Sequence, residues 1–192
     1  MLVKMLSMSD KAHFLKLAEL LSIADKPLLW DGKKKNEITP KTNMKKLSFA
    51  KGESESKLLS DWMQEGNVGL KTGFSAIFTK ETEVEKLLLE WLAEIPLDKN
   101  TEISIERFIA VSEVLQSLLK ASPSTTRYAK RIMLYELMLI ALAGGEMSSI
   151  EYRLLEIFKQ HHQFDDCDFD EILERAKITY REVQRTIALI IE

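Results

Sequence analysis

The segment from His161 to Asp170, with sequence HHQFDDCDFD, contains histidine, cysteine and aspartate, the residue types that bind zinc in proteins. Zinc ligands must converge on one point. His161 and His162 are adjacent, and adjacent side chains on a helix point about 100° apart. The spacing therefore does not predict a zinc site, and we expect no metal ligands in this segment.

The aspartates at 166, 168 and 170 have the spacing that opens an EF-hand calcium loop. That loop requires a glycine at its sixth position and a bidentate glutamate at its twelfth, where this chain has Glu171 and Lys177. We therefore expect a helix end, a short loop and an acid-rich first turn of the next helix, because acidic side chains are favourable near a helix N-terminus.

Catalytic chemistry finds little support in the residue pattern. Cys167 with His161 or His162 could form a nucleophile and base, but no third residue orients the base and the acidic neighbours disfavour a thiolate. The glycine-rich stretch at 66–73 lacks the G-x-x-x-x-G-K-[ST] order of a phosphate-binding loop. We expect a protein that is not an enzyme, with no catalytic residues.

Lysines are concentrated in a short segment near the N-terminus. The six are Lys33, Lys34, Lys35, Lys41, Lys45 and Lys46. They could form a basic surface for an anionic membrane or RNA, with Trp30 at the interface, or a solvated loop and helix face. The net charge of −3 provides no whole-molecule attraction to nucleic acid, so a nucleic-acid partner is not expected.

Apolar residues recur every three or four positions along most of the chain, which predicts an all-α protein. One such stripe comprises Val84, Leu87, Leu88 and Trp91, and we expect it and Trp62 to lie in the core. The pattern predicts eight or nine helices in a compact bundle, at 9–25, 40–50, 55–65, 80–95, 104–121, 124–143, 148–163, 168–177 and 179–191, with a loop at 66–79.

Capping patterns mark several of these helix boundaries. Ser148 to Glu151, Asp168 to Glu171 and Thr179 to Glu182 each place a capping side chain three residues before a glutamate. Thr39-Pro40 has the pattern of a cap and first helical residue, and Gly144 stands where a helix would end.

A chain of 192 residues fits one domain, 1–192, whose two halves would be 1–79 and 80–192. It can bury about 70% of its unfolded surface, so it needs no disulfide or metal to fold. The single cysteine, the lack of a signal-like apolar segment and the lack of about 18 consecutive apolar residues predict a cytoplasmic protein with no transmembrane segment.

Two segments of the sequence look alike. ELLSIA at 19–24 aligns without gaps with ELMLIA at 136–141, and the second continues as IALAGGEMSSIE at 140–151. This stretch, and the residues that follow Glu151, resemble the TerB-like family (tellurite-resistance proteins and their relatives), whose members carry an I-A-x-A-D-G-E-φ-s-x-x-E signature after a buried helix, often twice. Here Gly144 replaces the aspartate, and in the first copy five residues separate Asp25 from Asp31-Gly32.

The resemblance implies a helical bundle of two related halves without catalytic activity, in which acidic inter-helix turns bind a divalent cation in some members. Transferred to this chain, it nominates Asp31, Glu37, Glu146 and Glu151 as a candidate cation or partner site, because hard cations prefer several oxygen ligands. The alternative is that Glu151 belongs to a capping box and the other three are solvated.

Three functions follow. The first is a non-catalytic TerB-like interaction protein with a protein partner, in a stress-response or envelope-associated complex. The second is a divalent-cation-binding regulatory protein that uses the acidic turns. The third is an anionic-membrane or nucleic-acid binder that uses the lysines. Peripheral membrane contact and a homo-oligomer both remain open, and no other cofactor is expected.

Overall fold

The computed structural model describes residues 2–50, 82–95, 105–123 and 125–191. In chain order the elements are α1 (Met8–Ile23), β1 (Leu28–Trp30), β2 (Leu47–Phe49), α2 (Glu83–Ala93), α3 (Ile105–Lys120), α4 (Arg127–Ala143), α5 (Ser149–His162) and α6 (Asp166–Ile191), with short 3-10 turns at Leu2–Met5 and Lys35–Glu37. The helical class is confirmed, but these ranges contain six α-helices rather than eight or nine. The helix predicted at 55–65, the loop at 66–79 and Trp62 lie outside the described residues.

The helix predicted at 40–50 is wrong, because this segment ends in a strand. β2 pairs antiparallel with β1, with Leu28 opposite Phe49 and Trp30 opposite Leu47. Thr39 does not cap a helix: a single turn closes there, in which the Thr42 amide donates to the Thr39 carbonyl oxygen at 2.9 Å. Burial of Phe49 in the core next to β1 favours the strand, whose partner cannot be identified from local periodicity.

The first turn of this hairpin explains the Asp31-Gly32 pair. Trp30 and Lys33 exchange two backbone hydrogen bonds of 2.8 and 3.0 Å, so Asp31 and Gly32 form a two-residue loop. Both residues have positive φ, at 54° and 77°. Asp-Gly is a favoured pair for this type I′ geometry, so the residues that resemble an inter-helix turn are a hairpin turn here.

The helices predicted at 168–177 and 179–191 form one continuous helix, α6. Asp165 caps it, because its Oδ1 accepts a hydrogen bond of 2.6 Å from the Asp168 amide. Thr179 does not begin a new helix; its Oγ1 accepts a hydrogen bond of 2.8 Å from the Tyr135 hydroxyl of α4. The capping pattern at 179–182 is therefore wrong, and so is that at 168–171, since α6 begins two residues earlier.

The boundary between α4 and α5 agrees with the sequence. Gly144 is the first residue after α4. The capping box is present in both directions: the Ser148 hydroxyl accepts from the Glu151 amide at 3.3 Å, and the Glu151 carboxylate accepts from the Ser148 amide at 2.7 Å. These bonds satisfy two amides that the first turn of a helix leaves unpaired.

The buried face of α2 differs from the predicted one by a rotation about the helix axis. α2 buries Val84, Leu88, Leu89 and Leu92, whereas Leu87 and Trp91 are 39% and 45% exposed. Both sets have helical spacing, so periodicity alone cannot choose between them. The choice is made by contact with α1 and α3, against which α2 packs.

α4 lies at the centre of the bundle and contacts α1, α5, α6 and the first 3-10 turn. The buried apolar side chains of the described residues form one cluster that extends from Val3 to Ala176. The single-domain prediction, with its two halves, stays a prediction. None of the helices in the described ranges combines the length and apolar content that a membrane span needs.

Arg107 joins α3 to the end of α1 and the hairpin. Its side chain is 1% exposed, and it donates to the carbonyl oxygens of Ala24 at 2.7 Å, Ile23 at 3.1 Å and Lys26. Its guanidinium also lies 5.7 Å from the centre of the Phe49 ring. The arginine therefore satisfies carbonyls that the last turn of α1 leaves without helical partners, at the end where a cation is favourable.

Candidate functional site

The two halves of α6 have different surroundings. The first half buries Phe169, Ile172, Leu173 and Ala176 in the core. Every residue from 181 to 191 is exposed, so about 16 Å of helix extends beyond the bundle. The side chains of residues 181–191 are therefore accessible to a partner.

The exposed half continues the apolar stripe of the buried half. We use the name α6 face for Tyr180, Val183, Ile187, Ile190 and Ile191. The first four follow Phe169, Leu173 and Ala176 at alternating spacings of four and three residues, and Ile191 lies four residues after Ile187. This alternation keeps side chains on one side of a helix and is typical of a helix-helix seam. Ile187, Val183, Ile190 and Ile191 are 44%, 49%, 77% and 79% exposed.

The charged residues of the exposed half lie on its other side. Arg185 pairs with Glu182 at 2.8 Å within the helix, and the Thr186 hydroxyl donates to the Glu182 carbonyl oxygen at 2.8 Å. At about 100° per residue, Arg181, Glu182 and Arg185 project away from the α6 face. The face itself contains no charged side chain.

A groove of about 930 Å³ opens where the exposed half leaves the bundle. We call it the α6 groove. Its lining combines apolar, aromatic and charged side chains from the α4–α5 turn, α5 and α6, among them Leu142, Met147, Tyr152, Leu173 and Tyr180, with Glu146, Arg153, Glu156, Lys177 and Arg181. Tyr180 belongs to both the groove and the α6 face, so the two form a continuous surface.

The four predicted acidic residues have separate roles. Asp31 lies in the hairpin turn and pairs with Lys46 at 3.1 Å, and the Glu37 carboxylate accepts a hydrogen bond of 3.0 Å from the Lys34 amide. Glu151 is 3% exposed and belongs to the capping box, whereas Glu146 is exposed at the α6 groove. Among the described residues, no group of three or more His, Cys, Asp or Glu side chains could hold a metal ion. Cation binding by these residues stays a prediction.

The six predicted lysines all lie on the 31–46 connection between β1 and β2. Lys34, Lys35, Lys41, Lys45 and Lys46 are exposed and Lys33 is half-buried. Asp31 and Glu37 are the acidic residues of this connection, so its formal charge is 6 − 2 = +4. Trp30 is 3% exposed and is part of the core, so this side chain does not contribute to the exposed surface of the connection.

Two aspartates of the 161–170 segment pair with basic residues of other elements. Asp168 pairs with Arg127 at 3.0 Å and Arg131 at 2.8 Å, both on α4, and these arginines lower the pKa of its carboxyl group. Asp166 pairs with Lys159, which lowers the pKa of Asp166 through a hydrogen bond. Cys167 is exposed. These pairs fix the start of α6 against α4 and α5.

The histidines form a group that the sequence did not indicate. His13 on α1 is 7% exposed and lies near His161 on α5. Burial lowers the pKa of His13, and burial together with the charges of His161 and Lys130 lowers the pKa of His162 to about 4. The Nε2 atoms of His13 and His162 are buried and have no hydrogen-bond partner among the described residues. Both rings are therefore neutral packing groups near neutral pH.

The α6 face is the feature that sequence reasoning missed. Its signal was present, because the spacing of apolar residues does not change between Phe169 and Ile190. The capping pattern at Thr179 divided the stripe into two short helices and concealed its continuity.

Comparisons with protein-family models, with curated proteins and with solved structures found no match to the chain.

Proposed function

We propose that this protein is a non-catalytic helical interaction protein that binds a protein partner through the α6 face and the adjoining α6 groove. The observation that carries the proposal is the exposed continuation of a buried apolar stripe over 11 residues of helix. Exposed contiguous apolar surface rimmed by polar residues is typical of protein interaction sites.

The energy available to such a partner can be approximated. Full burial of one valine or isoleucine side chain contributes about 1.5–3 kcal/mol. Val183, Ile187, Ile190 and Ile191 are between 44% and 79% exposed, so covering all four contributes about 5 kcal/mol. The groove adds further apolar surface to this contribution.

The TerB-like resemblance supports the same surface. The residues that carry it, 140–151, include Glu146 and the capping box at the α6 groove. We propose that the acidic turn and the α6 face form one binding surface, and that the complex belongs to a stress-response or envelope-associated system of the kind that the resemblance implies.

Site-specific photo-crosslinking in cells tests this proposal. A photoreactive amino acid at Ile187 samples the α6 face, and the same residue at Leu189 samples the far side of the same helix turn. Leu189 is 76% exposed, so both probes are accessible. We expect protein adducts from position 187 and few from position 189. Equal adduct patterns, or none from position 187, would show that the face does not bind a protein.

The lysine-rich connection favours a second candidate function, binding to an anionic surface. Its +4 formal charge contrasts with the net charge of −3 of the whole chain. Such a segment is attracted to anionic lipids by about 1 kcal/mol per lysine near the membrane.

Vesicle sedimentation tests the second candidate. We expect the protein to pellet with phosphatidylserine-containing vesicles at low salt and to be released as salt is raised. Replacing Lys33, Lys34 and Lys35 with glutamine should weaken binding more than replacing Lys11, Lys86 and Lys120, a control with the same change in charge. Equal binding by the two variants would remove this function.

A further inference from the structure

Four of the five residues of the α6 face are spaced symmetrically, and Ile191 lies outside this series. Tyr180, Val183, Ile187 and Ile190 are separated by three, four and three residues, so the series reads the same in both chain directions. A two-fold axis perpendicular to the helix near residue 185 therefore superposes the face on itself with its direction reversed. Self-complementarity about a two-fold axis is the geometric requirement of an isologous dimer.

We propose that two copies of this chain pair their α6 helices antiparallel through the α6 face, an inference that rests on the proposed function and identifies its partner. In this pairing Tyr180 of one copy meets Ile190 of the other, and Val183 meets Ile187. The two-fold axis repeats each of these two residue pairs, so the seam contains four layers of paired side chains. The heptad assignment places Tyr180 and Ile187 at a positions and Val183 and Ile190 at d positions, so every layer joins an a residue to a d residue.

The charges of the exposed half allow this pairing. The residues that flank the seam are Thr179, Gln184 and Thr186, and none of them is charged. Arg181, Glu182 and Arg185 lie on the outer side, where Arg185 is paired with Glu182 at 2.8 Å. Two identical helices therefore approach without like charges at the contact, which would otherwise oppose self-association.

The groove supplies the area that a short helix pair lacks. A seam of about 16 Å covers less than the roughly 800 Å² per partner of a typical stable interface. In the antiparallel register, Ile190 and Ile191 of one copy reach Tyr180 of the other, at the edge of the α6 groove. Ile190 and Ile191 are both apolar, and a groove of about 930 Å³ beside Leu142, Met147 and Leu173 has room for these two side chains, whereas Leu189 lies on the far side of the same turn.

The test is the mass of the full chain in solution, measured by sedimentation equilibrium at several concentrations. We expect a species of about 44 kDa, twice the 22.1 kDa of the chain. Ile187→Lys should raise the dissociation constant at least about a hundredfold, because it places an unpaired charge in the seam. Leu189→Lys introduces the same charge on the far side and should leave the dimer intact. Residues 181–191 are exposed in the monomer, so we expect neither substitution to unfold the chain. Circular dichroism of both variants checks that their helical content is unchanged.

Cysteine trapping tests the register in a Cys167→Ser background. Mixed Val183→Cys and Ile187→Cys chains should form a disulfide-linked heterodimer more readily than Ile187→Cys alone. Preferential linkage of Ile187→Cys to itself would indicate parallel pairing and overturn the proposal.

The remaining outcomes separate this inference from the proposed function. A monomer at all concentrations, or a dimer unaffected by Ile187→Lys, overturns the second copy as partner. If adducts from position 187 then join the chain to a different protein in cells, the proposed function stands with another partner. If there are no adducts, and binding to phosphatidylcholine vesicles depends on Ile187, the face is a membrane contact and both proposals fail.

Discussion

His162 makes the stability of this protein depend on pH in a calculable way. The ring lies at the end of α5, edge-on to Phe158 with 4.4 Å between ring centres. Its Nε2 is buried, and no atom in the described part of the chain forms a hydrogen bond with it. Burial is the main cause that lowers the pKa of His162 to about 4, with contributions from His161, Lys130 and His13. The folded protein therefore resists protonation of this ring, whereas the unfolded chain accepts a proton at about pH 6.5.

The direction of the effect follows from this difference in pKa. Above pH 6.5 the ring is neutral in both states and the folded protein has its full stability. As the pH falls from 6.5 towards 4, only the unfolded state gains a proton, so the free energy of unfolding decreases. With pKa values of about 6.5 and 4, the loss at pH 5 is about 2 kcal/mol. Burial also lowers the pKa of His13, which changes stability in the same direction.

Urea unfolding at pH 7.5, 6.0 and 5.0 measures this loss. Lysine and arginine partners hold the pKa values of Asp166 and Asp168 below those of ordinary carboxyls. The stability that these two carboxylates contribute to the folded protein is therefore lost only at a pH below this window. We expect His162→Leu to remove most of the 2 kcal/mol decrease between pH 7.5 and 5.0. His161→Leu removes a smaller cause of the shift at an exposed position and should retain most of the decrease, because burial is the main cause. An unchanged pH dependence in His162→Leu would refute the reasoning, as would a wild type that gains stability at pH 5.

Three further predictions concern stability and metal binding. Arg107→Met should lower the free energy of unfolding by about 3–5 kcal/mol in urea, because the carbonyl groups at the end of α1 lose a buried charged donor; a loss below about 1 kcal/mol would contradict this role. Ser148→Ala should cost about 1 kcal/mol by the same measurement, whereas Ser149→Ala, one residue further along, should cost less because Ser149 does not cap the helix. If the acidic turns bind a cation, Ca²⁺ or Mg²⁺ added after EDTA treatment at a hundred times its dissociation constant should raise the free energy of unfolding by about 2.7 kcal/mol. This gain should disappear in a Glu146→Gln/Glu151→Gln variant. The absence of any shift in the thermal unfolding midpoint would remove the cation-binding function.

The sequence predicts those elements whose signals are local. The apolar periodicity of α1, α3 and α4 and the capping box at Ser148 to Glu151 specify helices and their ends through residues no more than four positions apart. The helix end predicted at Gly144 is confirmed, and its signal is local in the same way.

The errors arise where tertiary contacts override a local pattern. Thr179 has the sequence of a helix cap, but its hydroxyl bonds to Tyr135 of α4 and the helix continues. Trp91 has the spacing of a core residue, but the orientation of α2 against α1 and α3 exposes it. β2 could be recognised only together with β1, which is 17 residues earlier.

The histidine group and the α6 groove depend on distant parts of the chain. His13 and His162 are 149 residues apart in sequence, and the fold brings them near enough for the charge of His13 to contribute to the lowered pKa of His162. The groove likewise requires α6 to cross the α4–α5 turn. By contrast, the α6 face could have been read from the alternating four- and three-residue spacing alone.

Amide hydrogen exchange of the 181–191 segment, followed over a dilution series of the purified chain, tests most directly whether another helix covers the α6 face. Because a helix end without tertiary contacts opens readily, its amides exchange fast unless a partner covers it. We expect protection of 181–191 to rise with concentration and to be lost in Ile187→Lys, while the 127–143 segment of α4 stays protected throughout. Fast exchange of 181–191 at every concentration, the same in wild type and Ile187→Lys, would contradict the account.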